Sequence, residues 1–154
     1  MSKVCDHTSV GILVWDKDKL LLIERKNFPF GFAPPAGHLD GDNFEEGARR
    51  ELKEEVGLSA TALKLVIKGK KDNKCRREDG NYHDWEIFEG KTSGQVVGSK
   101  DETKKVGWFS KEEIRSLAER TEEYLSGKID DEVWKLSPGI EEVWFQWFKE
   151  LKII

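Results

Sequence analysis

From Asn43 to Val56 the chain carries no proline, and Phe44, Ala48, Leu52 and Val56 recur there every four residues. That spacing lays one apolar stripe along a helix, and such a stripe needs a core to cover it. Asp42 with Glu45 is the expected capping box at its start. Gly57 stands where a helix usually stops in the left-handed conformation. At about 100° per residue, Glu51, Glu54 and Glu55 share a face at the edge of the stripe. Glu46, Arg49 and Lys53 fall on another face, free to make solvated pairs. Crowded carboxylates repel, and each resists ionising unless a cation joins them. Mg²⁺ or Mn²⁺ takes such oxygen ligands and also holds phosphate oxygens. On helix geometry alone, a solvated acidic face and a metal site stand level.

The run Arg50-Glu51-Leu52-Lys53-Glu54-Glu55-Val56-Gly57-Leu58, preceded by Gly37 and an acidic loop, resembles the signature box of the Nudix hydrolases. The helical half of the box matches at every fixed position. The loop half departs: Asp42 follows Gly37 after four residues, where the family has five and then glutamate. Asp42 is therefore not carried over as a metal ligand.

The resemblance implies an α/β fold, a Nudix-like α/β/α sandwich with a mixed sheet between helices. It implies hydrolysis, with Mg²⁺ or Mn²⁺, of a pyrophosphate bond in a nucleoside diphosphate linked to another moiety, as in an NTP or ADP-ribose. Glu51, Glu54, Glu55 and Glu102 are the implied metal ligands. Glu102 joins them because it stands six residues before Trp108, in the manner of the family's loop glutamate; Asp101 is its rival. Arg50, Glu51, Glu54 and Glu102 form the implied catalytic set, with Arg50 orienting a glutamate. Gly37, His38, Arg25, Phe28 and Phe32 form the implied substrate-binding set. The alternative is an inactive nucleotide-binding module of the same fold.

A chain of 154 residues is long enough for one domain with a sizeable core, here residues 1–154 with a helical extension from about 111 to 154. A net charge of −4 argues against a nucleic-acid partner, which needs a basic stripe. No apolar run reaches the length of a membrane span, and no signal-peptide core opens the chain. The expectation is a cytoplasmic enzyme with a small-molecule nucleotide as its partner.

Ser9 to Trp15 reads as a central strand, Asp16 to Lys19 as a turn, and Leu20 to Ile23 as a second strand closing a hairpin. Asn27 to Phe32 holds three aromatic rings, suited either to plug a loop or to stack on a base. Ala62 to Lys70 and Tyr82 to Glu89 read as a long hairpin whose tip carries Arg76 and Arg77. Val106 to Phe109 is a short strand. Ser110 and Glu113 cap a helix with Ile114, Leu117, Ala118 and Leu125 inward. Ser137-Pro138 is the expected start of a last helix. Its stripe of Ile140, Val143, Trp144, Trp147, Phe148 and Leu151 packs on the sheet or forms a homodimer face. Finally, Cys5, His7, Cys75 and His83 form a candidate structural Zn²⁺ set, with Cys75 and His83 flanking the hairpin tip. Idle thiols and surface histidines are the alternative.

Overall fold

Leu20, Leu21, Leu22 and Ile23 are all buried, and successive side chains enter different cores. An uninterrupted apolar strand has this meaning: both faces of its sheet are covered. The computed structural model describes residues 3–154. In chain order its first elements are β1 (Thr8–Leu13), β2 (Trp15–Asp16), β3 (Lys19–Arg25), β4 (Phe32–Ala33), β5 (Ala36–Gly37) and α1 (Phe44–Val56). Then come β6 (Ser59–Lys71), β7 (His83–Ser93), β8 (Thr103–Phe109), α2 (Lys111–Leu125), α3 (Asp131–Leu136) and α4 (Glu142–Glu150).

One four-stranded sheet has the order β5-β1-β7-β6, with β1 and β7 parallel and the outer pairs antiparallel. The other holds β2, β3 and β4, with β8 also paired to β3, all antiparallel. On one side α1 lays Ala48, Leu52 and Val56 against Val10, Ile12, Leu21 and Phe88. On the other, Ile114 of α2 and Trp144, Trp147 and Phe148 of α4 cover Leu20, Leu22, Trp85 and Ile87. The result is the expected mixed sheet between helical layers. No helix among the described residues is long and apolar enough to cross a membrane.

Several expectations shift. The stretch from Ser9 to Trp15 does not form one arm of a hairpin, because it breaks after Leu13. Only Trp15 and Asp16 pair back onto β3, while β1 lies between β5 and β7 in the other sheet. The cap of α1 is Asn43 with Glu46, not Asp42 with Glu45. Leu125 is 47% exposed, and α3 was not anticipated.

The last helix starts at Glu142, not at Ser137-Pro138. Residues 139–141 are held against β4 instead: Phe32 N–H donates to Gly139 O at 2.8 Å, and Glu141 N–H donates to Phe32 O at 3.0 Å. Backbone engaged in that bridge cannot also open a helix. The aromatic stripe of α4 lies on its own sheet, with Trp144 edge-on to Trp85 at 5.4 Å. It is covered within the chain and offers no dimer face.

Gly31 lets this junction close. Its φ is +140°, and a Cβ there would sit 2.5 Å from the Cα and N of Glu141. Gly31→Ala is expected to cost about 1–3 kcal/mol through strain and overpacking. In thermal unfolding that is a drop of roughly 5 °C; an unchanged midpoint would show that the junction yields freely.

Candidate active site

The site begins where α1 meets β5. Gly37 pairs with Val10 of β1, which brings its backbone against the inner face of α1. A Cβ at Gly37 would run into the Glu51 carboxylate, so only glycine lets strand and helix approach this closely. One residue earlier, Ala36 N–H donates to Glu55 Oε1 at 3.2 Å. Glu51 is 8% exposed and Glu55 2%. The helical phase thus turns these two acids inward, while the Glu54 side chain stays 55% exposed at the rim.

Arg50 organises the same corner. Its Nη1 donates to Glu51 Oε1 at 2.8 Å and lies 3.5 Å from Glu54. Its Nε donates to Asp42 at 2.8 Å, and its Nη2 donates to the carbonyls of His38 and Leu39 at 2.8 and 3.0 Å. A planar guanidinium suits this task because its donors leave in fixed directions. Arg50 thus meets three acids, Asp42, Glu51 and Glu54, and two loop carbonyls.

Burial pushes the Glu55 carboxyl well above its usual range, and the charges of Glu51 and Glu102 push it further. Burial raises Glu51 too, against the pull of Glu55 hydrogen bonding and of Arg50. Glu51, Glu55 and Glu102 offer carboxylate oxygens to the lining of one cleft, with Glu102 coming from the loop before β8. Such a set fits a hard divalent ion and suits a soft one poorly.

These acids wall a cleft of about 170 Å³, together with Arg25, Phe28, Gly37 and Glu102. Glu102 is exposed, in the loop before β8; its carbonyl accepts from Lys26 N–H at 3.0 Å, which ties that loop to the end of β3. Arg25 Nε donates to Pro29 O at 2.8 Å and pairs with Glu141 at 3.2 Å. Beyond Phe28 the cleft opens into a groove of about 710 Å³ bordered by Tyr124, Trp134 and Gln146.

The aromatic loop divides. Phe32 is core, 8% exposed and edge-on to Phe109, so its expected place at the substrate is withdrawn. Phe28 is 43% exposed at the shared edge of cleft and groove. Arg76 borders the cleft, while Arg77 is held by both oxygens of Asp40 and belongs to the fold of that loop. Asp42 serves Arg50, away from the buried acids.

His38 borders the cleft, but burial and the neighbouring Arg77 lower its pKa to about 4. It stays neutral and carries no charge for a phosphate. Its Nε2 faces Cys5 instead. His7 does not join the cysteines as expected. Its ring stacks on Tyr82 at 4.0 Å and its Nδ1 bonds Tyr82 O at 3.0 Å, because a positive φ of 58° turns it outward. The cluster that forms is Cys5, His38, Cys75 and His83.

The NUDIX domain profile matches residues 6–131. The chain belongs to the Nudix family. Among solved structures it is similar to a MutT NUDIX hydrolase from Burkholderia pseudomallei, at 22% identity and a TM-score of 0.61, over 69% of this chain and 84% of that one. An Ap4A hydrolase from C. elegans, solved as a binary complex, gives 22% and 0.59 over 75% and 88%. The NUDIX domain of Shewanella oneidensis NrtR, solved with ADP ribose, gives 15% and 0.60 over 75% and 78%. At these identities the likenesses establish the Nudix fold. No curated protein matches the chain.

One buried acid of this Nudix cleft had no motif to announce it. Glu141 is 4% exposed, and burial pushes its carboxyl up to about 7 against the opposing pull of Arg25. The folded chain therefore keeps a proton that the unfolded chain releases from about pH 4.5 upward. Stability falls as pH rises through about 4.5 to 7, by up to about 3 kcal/mol. Glu141→Gln lacks that loss. Its thermal midpoint relative to the wild type is expected to climb across the window and level off above it. A difference that stays flat with pH would show that Glu141 ionises freely.

Proposed function

We propose that this Nudix chain hydrolyses a pyrophosphate bond in a nucleoside diphosphate linked to another group, with Mg²⁺ or Mn²⁺ held by Glu51, Glu54, Glu55 and Glu102. The observation that carries the reading is the convergence of Glu51, Glu55 and Glu102 on one cleft that also contains Arg25. Two nearly buried acids side by side need a cation to be stable as anions.

When bound, the divalent ion would offset the negative charge that gathers as water attacks phosphorus. The chain's own groups do the rest. Arg50 holds Glu51 turned toward the cleft. Glu55, braced by Ala36 N–H, lies beside it one helical turn further on. Glu102, at the mouth, would close the metal site or take the proton of the attacking water. Arg25 and Arg76 supply cations for phosphate oxygens. Phe28 offers its ring to the base or to the second group, which then extends into the groove. The similar structures include a MutT hydrolase, an Ap4A hydrolase and an ADP-ribose complex, so all of these substrate types belong in the test panel.

The short loop is the feature that favours an inactive binding module. Asp42, however, is engaged by Arg50 and withdraws nothing from the cleft. Glu55→Gln and Glu54→Gln are each expected to lower kcat about 100-fold or more, the scale of losing an electrostatic stabiliser, with the fold retained. Product phosphates from a nucleotide panel with Mg²⁺ give the readout. Near-normal turnover in either variant removes that residue from the chemistry, and binding without turnover by the wild type would establish the module.

A further inference from the structure

In the wall of the same cleft, but chemically unlike its acids, Cys5, His38, Cys75 and His83 bring a ligand atom each to within 4.8 Å of one another. These residues come from the segment before β1, the loop before α1, the 73–81 loop and the first residue of β7. Backbone hydrogen bonding places them. Cys5 N–H donates to Glu78 O at 2.8 Å, and Cys75 N–H donates to Gly80 O at 2.9 Å. A Cβ on Gly80 would collide with Cys75 Sγ, so the loop is shaped to bring the thiol inward.

The three spacings measured from Cys5 match the edges of a tetrahedron. With Zn–S near 2.3 Å and Zn–N near 2.0–2.1 Å, its edges are about 3.8 Å between sulfurs and about 3.5 Å between sulfur and nitrogen. The two Sγ atoms stand 3.8 Å apart, and Cys5 Sγ lies 3.5 Å from His38 Nε2 and 3.3 Å from His83 Nε2.

The surrounding groups suit a metal as well. His83 Nδ1 lies 3.1 Å from Asn73 Oδ1, which also accepts from Trp85 Nε1 at 3.2 Å. An amide oxygen only accepts, so His83 donates from Nδ1 and its Nε2 lone pair faces the cluster, the outer partner a ligating histidine needs. His7 N–H donates to Cys5 Sγ at 3.3 Å, which supports a thiolate.

We propose that Cys5, His38, Cys75 and His83 bind one Zn²⁺ in a closed, structural site that fastens the box loop to the 73–81 loop and the start of β7. Four protein ligands leave no open position, so the ion would hold structure and perform no hydrolysis. His38 immediately follows Gly37, and its carbonyl is gripped by Arg50. The bound ion would therefore anchor the loop that meets the buried glutamates, with the Arg77–Asp40 pair as a second tie between the same loops.

The test uses the full chain, reduced, without nucleotide or Mg²⁺, so its outcome is independent of hydrolysis. Protein given Zn²⁺ alone and then gel-filtered is expected to retain about one equivalent per chain. Co²⁺ in its place is expected to give intense visible bands of a tetrahedral ion with thiolate charge transfer, which a carboxylate site cannot produce. Cys75→Ser, in a surface loop, and His38→Asn are each expected to weaken Zn²⁺ binding at least tenfold. His7→Asn is expected to bind as the wild type does. The proposal is overturned if the reduced wild type retains no Zn²⁺, or shows only thiolate-free Co²⁺ bands. It also fails if His7→Asn loses the ion while His38→Asn keeps it, or if the cysteines are found joined as a disulfide that excludes the metal.

Discussion

Two carboxylates, Glu51 and Glu55, sit a helical turn apart with almost no access to water, and much of the molecule is arranged so that they can stay there. The arrangement starts with a missing atom, the Cβ of Gly37, which opens the space their carboxylates occupy. It continues with the Ala36 amide on one acid and the Arg50 guanidinium on the other. Neither partner neutralises the pair. Both acids remain raised by burial, which is the electrostatic reason to propose a metal ion beside them. The apolar stripe of α1 holds this strained corner in place: Ala48, Leu52 and Val56 are wholly buried, so the helix cannot roll its acids out to solvent.

What could be read from residue order was whatever depends on local periodicity. The four-residue repeat gave α1, and Gly57 closes it at φ +74° as its position foretells. The Leu20–Ile23 run was legible as a strand, and the structure adds that both of its faces are covered. Misreadings occurred where long-range pairing overrides local signals. Ser137-Pro138 has good helix-start chemistry, yet the backbone just beyond it is claimed by Phe32, more than a hundred residues earlier in the chain. Capping moved from Asp42 to Asn43 because Arg50, on the next turns of the same helix, engages Asp42. Phe28 and Phe32 were indistinguishable in composition, and only the β4 pairing decides which ring enters the core.

The Cys/His cluster shows the same limit from the other direction. The ligand types were legible, but sequence distance favoured His7, two residues from Cys5, over His38, thirty-three residues away. A left-handed residue at His7 reverses that preference. The only available signal was that His38 follows a glycine in a loop of fixed geometry. The shortened loop now has a physical setting: Arg50, Arg77 and the neighbours of His38 hold it at several points. A loop one residue short spans less, and tethering at both ends is compatible with that.

The C-terminal segment borders the cleft and its groove as well as packing the core. α3 ends and α4 lies beyond residue 131, where the family match stops. Yet Trp144 fills the core under β1, against Gly11, which leaves room for its ring. Glu141 meets Arg25 in the cleft, and Trp134 with its stacked Tyr124 shapes the adjoining groove. Of the proposed metal ligands, Glu51, Glu54 and Glu55 come from the shared box, whereas these walls come largely from residues outside the matched span. Two substrates with the same pyrophosphate would present the same charge to Glu51 and Glu55. They would differ in what they lay against Phe28, Trp134 and Gln146, so under the proposed function discrimination between them would fall to the 27–32 loop and the extension together.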